Sequence, residues 1–153
     1  MKRSMKSTIP VLEHLFAAYK ENPGSIHVIN DMCHNNQEDP VKVSDALIEE
    51  RLIKDRHIYP GSVVACKITL QGIRQIDRQY VEEKIQEALK GLEKAGGSGN
   101  IMKFMKLTDT HYQAGLDIKD ELESRGLATF ETGSFQDNTI IMSLSKKEEV
   151  IHD

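Results

Sequence analysis

Tryptophan is absent from the 153 residues, and four tyrosines with four phenylalanines bring the aromatic share to only 5%. A core with so few rings has to rest on aliphatic side chains and methionine. Cysteine is scarce as well. Cys33 and Cys66 are the only two; they form no close pair, which neither looks like a disulfide framework nor gives the paired spacing of a recognisable zinc site. Both are expected as buried thiols. No apolar run approaches the roughly 18 residues that a membrane span requires. The start, Met1-Lys2-Arg3-Ser4-Met5-Lys6, leads into a Pro10-broken amphipathic segment rather than a signal-peptide core. A cytoplasmic location is the expectation.

What is present is an ordinary globular balance, 39% apolar and 29% charged with a net charge of -4. A chain of 153 residues forms one compact domain or two small ones. Self-comparison favours two. An offset of 74 places Val11 on Ile85, Leu15 on Leu89, Ala18 on Leu92 and Lys20 on Lys94. One extra residue in the run Gly96-Gly97-Ser98-Gly99 moves the offset to 75, which sets Ile26 on Ile101, Met32 on Leu107, Val43 on Ile118, Asp45 on Asp120 and Leu52 on Leu127. A return to 74 then brings Cys66, Ile68 and Leu70 onto Ile140, Met142 and Leu144. The expectation is an internal repeat of about 75 residues, with modules at 1–76 and 77–153.

Each module reads as three helices and a hairpin. Helical spacing joins Val11, Leu12, Leu15, Phe16 and Tyr19 in the first and Val81, Ile85, Leu89 and Leu92 in the second. A short second helix is expected to hold Val28, Ile29 and Met32, or Ile101, Phe104, Met105 and Leu107. The third helix of the first module has Asp39 as N-cap and Pro40 at the first helical position. In the second, Thr110 and Gln113 suggest a capping box and Gly126 a left-handed C-terminus. A short strand Leu52-Ile53-Lys54 follows, then a polar loop from Asp55 to Ser62 turning at Pro60-Gly61, then a strand from Val63 to Leu70. The second copy repeats this with 127–130, a loop at Gly133 to Asn138, and 139–144. Ile73, Ile76, Tyr80, Val81 and Ile85 keep helical spacing across the junction, so a helical linker is expected.

Three helices, a two-stranded wing and the passage Lys67-Ile68-Thr69-Leu70-Gln71-Gly72 into a further helix resemble the winged-helix superfamily, over residues 9–76 and more weakly over 80–146. The fold class expected is therefore mainly α with small β-hairpins, as two tandem winged-helix modules. The resemblance implies DNA binding as the commonest use, through the third helix in the major groove and the wing on phosphates.

Charge decides which module suits that role. Residues 1–76 hold 10 Lys and Arg against 9 Asp and Glu, a balance of +1, whereas residues 77–153 hold 10 against 15, a balance of -5. The candidate DNA contacts are Lys42, Arg51, Lys54, Arg56 and Lys67, with the tail Lys2, Arg3 and Lys6 and the loop residues His57 and Tyr59 beside them. The third helix of the second module carries Asp117, Asp120, Glu121 and Glu123, which would repel a duplex. Those four are the candidate contacts for the second reading, a protein-protein adaptor. Duplex DNA leads among the expected partners, a protein partner follows, and a homodimer fits both. The methionine-rich Ile101-Met102-Lys103-Phe104-Met105-Lys106-Leu107 would serve an interface or a helix buried between the modules.

No catalytic constellation emerges. Cys33, His34, His57 and Cys66 lack zinc-ligand spacing. The run Ala95 to Asn100 lacks the Gly-Lys-Ser/Thr ending of a phosphate cradle and reads as a helix-helix turn. Neither a cofactor nor a metal nor a small-molecule substrate is expected, and the chain is read as non-enzymatic.

Overall fold

The computed structural model describes residues 5–131 and 139–145; the tail residues Lys2 and Arg3 and the expected loop Gly133 to Asn138 lie outside them. The fold is mixed α/β, and the chain divides into two units, Met1–Glu82 and Glu83–Asp153. None of its helices is long and apolar enough to cross a membrane, among the described residues.

The first unit runs α1 (Thr8–Glu21), β1 (His27–Val28), α2 (Asn30–His34), α3 (Pro40–Glu49), β2 (Ile53–Tyr59), β3 (Val63–Ile68) and α4 (Leu70–Ile76). Its antiparallel sheet has the order β1-β3-β2. Val11, Leu12, Leu15, Phe16 and Tyr19 of α1 are buried as their spacing predicts, over a core that includes Ile29, Cys33, Val43, Leu47, Val64, Cys66 and Ile68. The N-terminus of α1 is closed from a distance. Ser7 donates to Glu38 from its backbone N–H at 2.7 Å and from Oγ at 2.6 Å, and the Lys6 N–H reaches the other carboxylate oxygen at 3.2 Å. Those orphan amides would otherwise lie without partners at the helix start.

α3 begins as expected, with Asp39 accepting from the Val41 N–H at 3.0 Å and Pro40 in the first turn. It ends in a left-handed residue, Arg51 at φ 62°, and the Leu52 N–H returns to the Leu47 carbonyl at 2.9 Å. Glycine is the usual occupant of that position, because a Cβ crowds the following carbonyl there. The last helix is seated by Gly72. A Cβ at Gly72 would meet the Leu52 carbonyl oxygen at 2.3 Å.

The second unit comprises α5 (Arg78–Lys94), whose first residues belong to the first unit, then β4 (Ser98–Asn100), α6 (Ile101–Phe104), a 3-10 turn (Asp109–His111), α7 (Tyr112–Ser124), β5 (Ala128–Phe130) and β6 (Ile141–Leu144). Its sheet has the order β4-β6-β5. Gly126 takes the expected left-handed conformation at φ 67°, with the Leu127 N–H on the Leu122 carbonyl at 2.9 Å. Met102 and Met105 are buried inside this unit, Met102 close over Gly115.

Several expectations need correction. Val28 lies in β1, paired with Ala65, and the second helix starts only at Asn30; a two-residue strand has no periodicity to read. Asp55 to Tyr59 are strand rather than loop, because β2 is an edge strand whose exposed residues need not alternate. Leu70 opens α4 rather than closing β3, since the Thr69 hydroxyl accepts from the Gly72 N–H at 3.0 Å and caps the helix. Thr110 makes no capping box. Its hydroxyl is shared with Thr108 and His111, α7 starts at Tyr112, and Gln113 donates to Asp117 instead. Gly96 and Gly97 do close α5, but Ser98–Asn100 continue as a strand paired with β6. The junction, read as a continuous or kinked helix, is helical on both sides of a break at Asp77, which has φ -153° and whose carboxylate accepts from the Tyr80 N–H at 3.1 Å. The first residues of α5 pack on the first unit, with Tyr80 edge-on to Phe16, ring centroids 5.0 Å apart, and Glu82 paired with Arg74 at 3.9 Å.

Two tests follow from these termini. Arg51→Gly relieves the left-handed strain and raises the free energy of unfolding by roughly 0.5 kcal/mol in urea melts; a loss of more than about 1 kcal/mol would show that the Arg51 side chain stabilises the fold. Glu38 is held below its ordinary value mainly by the Ser7 hydroxyl, helped by the Ser7 and Lys6 amides and the Lys6 charge, against an opposing effect of burial. A depressed carboxylate contributes stability at neutral pH that is lost as pH falls through its folded value, so urea midpoints drop between about pH 5 and pH 3. Glu38→Gln should lower the neutral-pH midpoint and flatten that drop.

Candidate functional site

The region that sequence pointed to is α3 with the hairpin behind it. β2 pairs with β3 in register at Ile53↔Ile68 and Lys54↔Lys67, then at His57↔Ala65, Ile58↔Val64 and Tyr59↔Val63. One extra residue therefore sits in β2 between Lys54 and His57, and Asp55 there has φ 55°. This is a β-bulge. Residues paired across strands share a face. Lys54, Lys67, His57, Tyr59, Val63 and Val28 thus lie on the outer face of the sheet, while Val64, Cys66 and Ile68 are buried on the inner one.

The five candidate cations separate into committed and uncommitted groups. Arg56 turns toward α3, where Nη1 donates to Ser44 Oγ at 2.9 Å and to Asp45. Ser44 is fully buried, so this link ties the hairpin to the helix rather than offering a charge to solvent. Charge-assisted hydrogen bonds of this kind contribute about 1.5–3 kcal/mol. Lys67 pairs with Asp55 at 3.5 Å with its side chain only 18% exposed. Lys54 is half-buried directly across from it. Lys42 and Arg51 are exposed near opposite ends of α3, and neither forms an ion pair among the described residues. Between them α3 and its C-terminus expose Asp45, Ile48, Glu49 and Glu50. The hairpin tip is apolar, with Ile58 50% and Tyr59 45% exposed and the rings of His57 and Tyr59 nearly parallel at 6.2 Å.

The acidic candidates on α7 are also engaged. Asp117 is buried and accepts from Gln113 Nε2 at 3.1 Å, so it faces inward. Lys119 bridges Glu123 at 2.8 Å and Asp120 at 3.2 Å, and its Nζ lies 4.9 Å from the Phe130 ring centroid. Glu123 foremost, with Asp120, holds the Lys119 ammonium above its ordinary value against the opposing effect of burial. Glu121 pairs with Arg125 at 2.8 Å. Exposed helix pairs stabilise by only a few tenths of a kcal/mol. Asp120 and Glu123 accordingly stay reachable, whereas Asp117 does not.

Sequence reasoning missed a groove in the second unit. It has a volume of about 530 Å³ and is lined by Glu87, Lys90, Gly91, Lys94, Ala95 and Phe104. The signal was present as Gly91, an unexplained glycine inside a helix.

Of the residues considered for metal or nucleophilic chemistry, the two buried thiols lie near enough for Cys33 to act on Cys66, but the two histidines do not join them. Cys66 is on the inner face of the sheet and His57 on the outer, while Cys33 is buried and His34 exposed. Among the described residues no cluster of three His, Cys, Asp or Glu side chains could hold a metal ion. Burial foremost pushes Cys33 up to about 11 and Cys66 up to about 12, so both stay protonated thiols at neutral pH. An aromatic disulfide reagent at about pH 8 should therefore titrate neither thiol in the native protein, and both after unfolding; rapid native labelling of either would overturn this picture. Comparison of the chain with protein-family models, with curated proteins and with solved structures finds no match.

Proposed function

We propose that the chain is a non-enzymatic pair of winged-helix units that assembles protein partners. The tandem reading is supported by matching strand orders, with the last strand of each unit central in its sheet. Matching hydrogen bonds support it further. The Ile29 N–H donates to the Val64 carbonyl as the Ile101 N–H donates to that of Ile140, both at 3.0 Å. The Thr69 and Ser145 N–H groups reach the Leu52 and Leu127 carbonyls, also both at 3.0 Å. These pairs favour Ile29, rather than Ile26, as the counterpart of Ile101, and Val64, rather than Cys66, as that of Ile140. The offset of 75 across α3 and α7 is retained, since Leu47 and Leu122 accept the same bond.

One observation carries the choice of partner: in the first unit the cations nearest the recognition position are bound within the protein, Arg56 by Ser44 and Asp45 and Lys67 by Asp55, while α3 presents acids. Phosphate binding depends on lysine and arginine that can displace counterions. An apolar tip at Ile58 and Tyr59 suits a protein surface better. Duplex DNA is the second reading, favoured by exposed Lys42 and Arg51.

The two readings separate in a titration of labelled duplex DNA. At roughly 50 mM salt, no saturable binding tighter than about 1 µM is expected, and Lys54→Ala with Arg56→Ala leaves the curve unchanged. Steeply salt-dependent binding that is lost in Lys42→Glu would overturn the adaptor reading. Recovery of a stoichiometric protein from the native host, insensitive to nuclease, is the complementary expectation.

A further inference from the structure

The groove in the second unit is floored by a ring seated on two glycines. Gly91 lies in the interior of α5, where glycine is a poorer helix former than any residue but proline. A Cβ at Gly91 would meet Phe104 Cγ at 2.3 Å, and one at Gly99 would meet Phe104 Cζ at 2.6 Å. The phenyl ring therefore lies against two bare stretches of backbone, one helical and one extended. Phe104 is half-buried there, with Ala95 beside it, and forms an apolar floor.

Lys90 and Lys94 line the same groove, and both are exposed. One turn of helix separates them, about 6 Å along the axis. Among the described residues neither has an ion-pair partner, while the one carboxylate that lines the groove, Glu87, is drawn to Lys84 at 3.6 Å. Two exposed lysines thus line an apolar-floored groove in a half of the chain whose balance is -5.

We propose that this groove docks an acidic segment of a partner protein, a short amphipathic stretch that sets one large apolar side chain on Phe104 and two carboxylates against Lys90 and Lys94. The proposal deepens the adaptor reading and rests on it. Charge complementarity selects the occupant. Two carboxylates one helical turn apart match the two lysines, whereas a nucleic acid would bring a train of phosphates past the exposed Glu83 and Glu93 of the same helix. The apolar anchor supplies affinity and the lysines supply orientation and selectivity, the division of roles seen at grooves that bind amphipathic helices.

The test is selection of a display library of 15-residue peptides on the full chain, followed by titration of the enriched peptides in synthetic form. The expected winners are acidic with an aromatic or large aliphatic anchor, and they shift the backbone NMR signals of Gly91, Lys94 and Phe104. Lys90→Glu with Lys94→Glu, both at exposed positions and checked for an unchanged circular dichroism spectrum, should weaken them at least tenfold. Gly91→Ala, which lifts the Phe104 ring, should weaken them with the lysines intact. Failure to enrich acidic sequences, equal binding by the charge-reversed variant, or preferential binding of a single-stranded oligonucleotide at the same signals would overturn the proposal. A host partner that is still recovered by the charge-reversed variant sinks this site alone; duplex DNA binding through Lys42 with no peptide enriched sinks the adaptor reading as well.

Discussion

Three elements of the first unit, α3, β2 and α4, meet at the backbone of Leu52. Its N–H closes α3 on Leu47, its carbonyl accepts from Thr69 where β3 gives way to α4, and that oxygen leaves Gly72 no room for a side chain. The Leu52 side chain is buried as well. A single residue thereby sets the exit of α3, the start of β2 and the entry of α4, and so fixes the hairpin relative to α3. Leu127 repeats two of these bonds, to Leu122 and from Ser145, with its side chain more exposed. Satisfying the last carbonyls of a helix is a general need. Here the means of satisfying them also carries the topology.

Local chemistry was legible wherever one residue type has one physical use. Asp39-Pro40 opened α3 and Gly126 closed α7 because caps depend on neighbours in sequence. β1 and β4 could not be read, since two or three residues become a strand only by pairing with a central strand far along the chain. Thr110 failed as a cap because Thr108 and His111 compete for its hydroxyl. The five cations of the first unit were found by residue type, but their partners were not. Whether Arg56 reaches solvent or Ser44 depends on the strand pairing that turns it toward α3, and whether Lys67 finds Asp55 depends on an extra residue in β2. The acids of α7 were likewise visible as charges, while their pairing with Lys119 and Arg125 emerged only from the helix.

The two units, each with a three-stranded antiparallel sheet, present different surfaces. In the first, opposite charges are consumed in joining the hairpin to α3, and the exposed tip is apolar. In the second, three of the four α7 acids share the two cations Lys119 and Arg125, and α5 keeps two lysines beside a ring seated on glycine. Net charge alone would assign the second half a repulsive role toward any anion. The arrangement of the charges, rather than their sum, decides what can approach.

The bulge in β2 has a consequence for how the hairpin could change. Lys54 and Lys67 stand directly opposite each other, an arrangement that is destabilising in a regular ladder. Asp55 is the surplus residue, and it supplies a carboxylate to Lys67 without moving any neighbour to the other face. Deleting that one residue would restore unbroken pairing with every other side chain on its present side, and leave two adjacent lysines with no counter-charge from β2. A shift of a single codon is enough to remove the one β2 carboxylate from this sheet face, so the length of the strand, as much as its composition, sets the charge of the surface it offers.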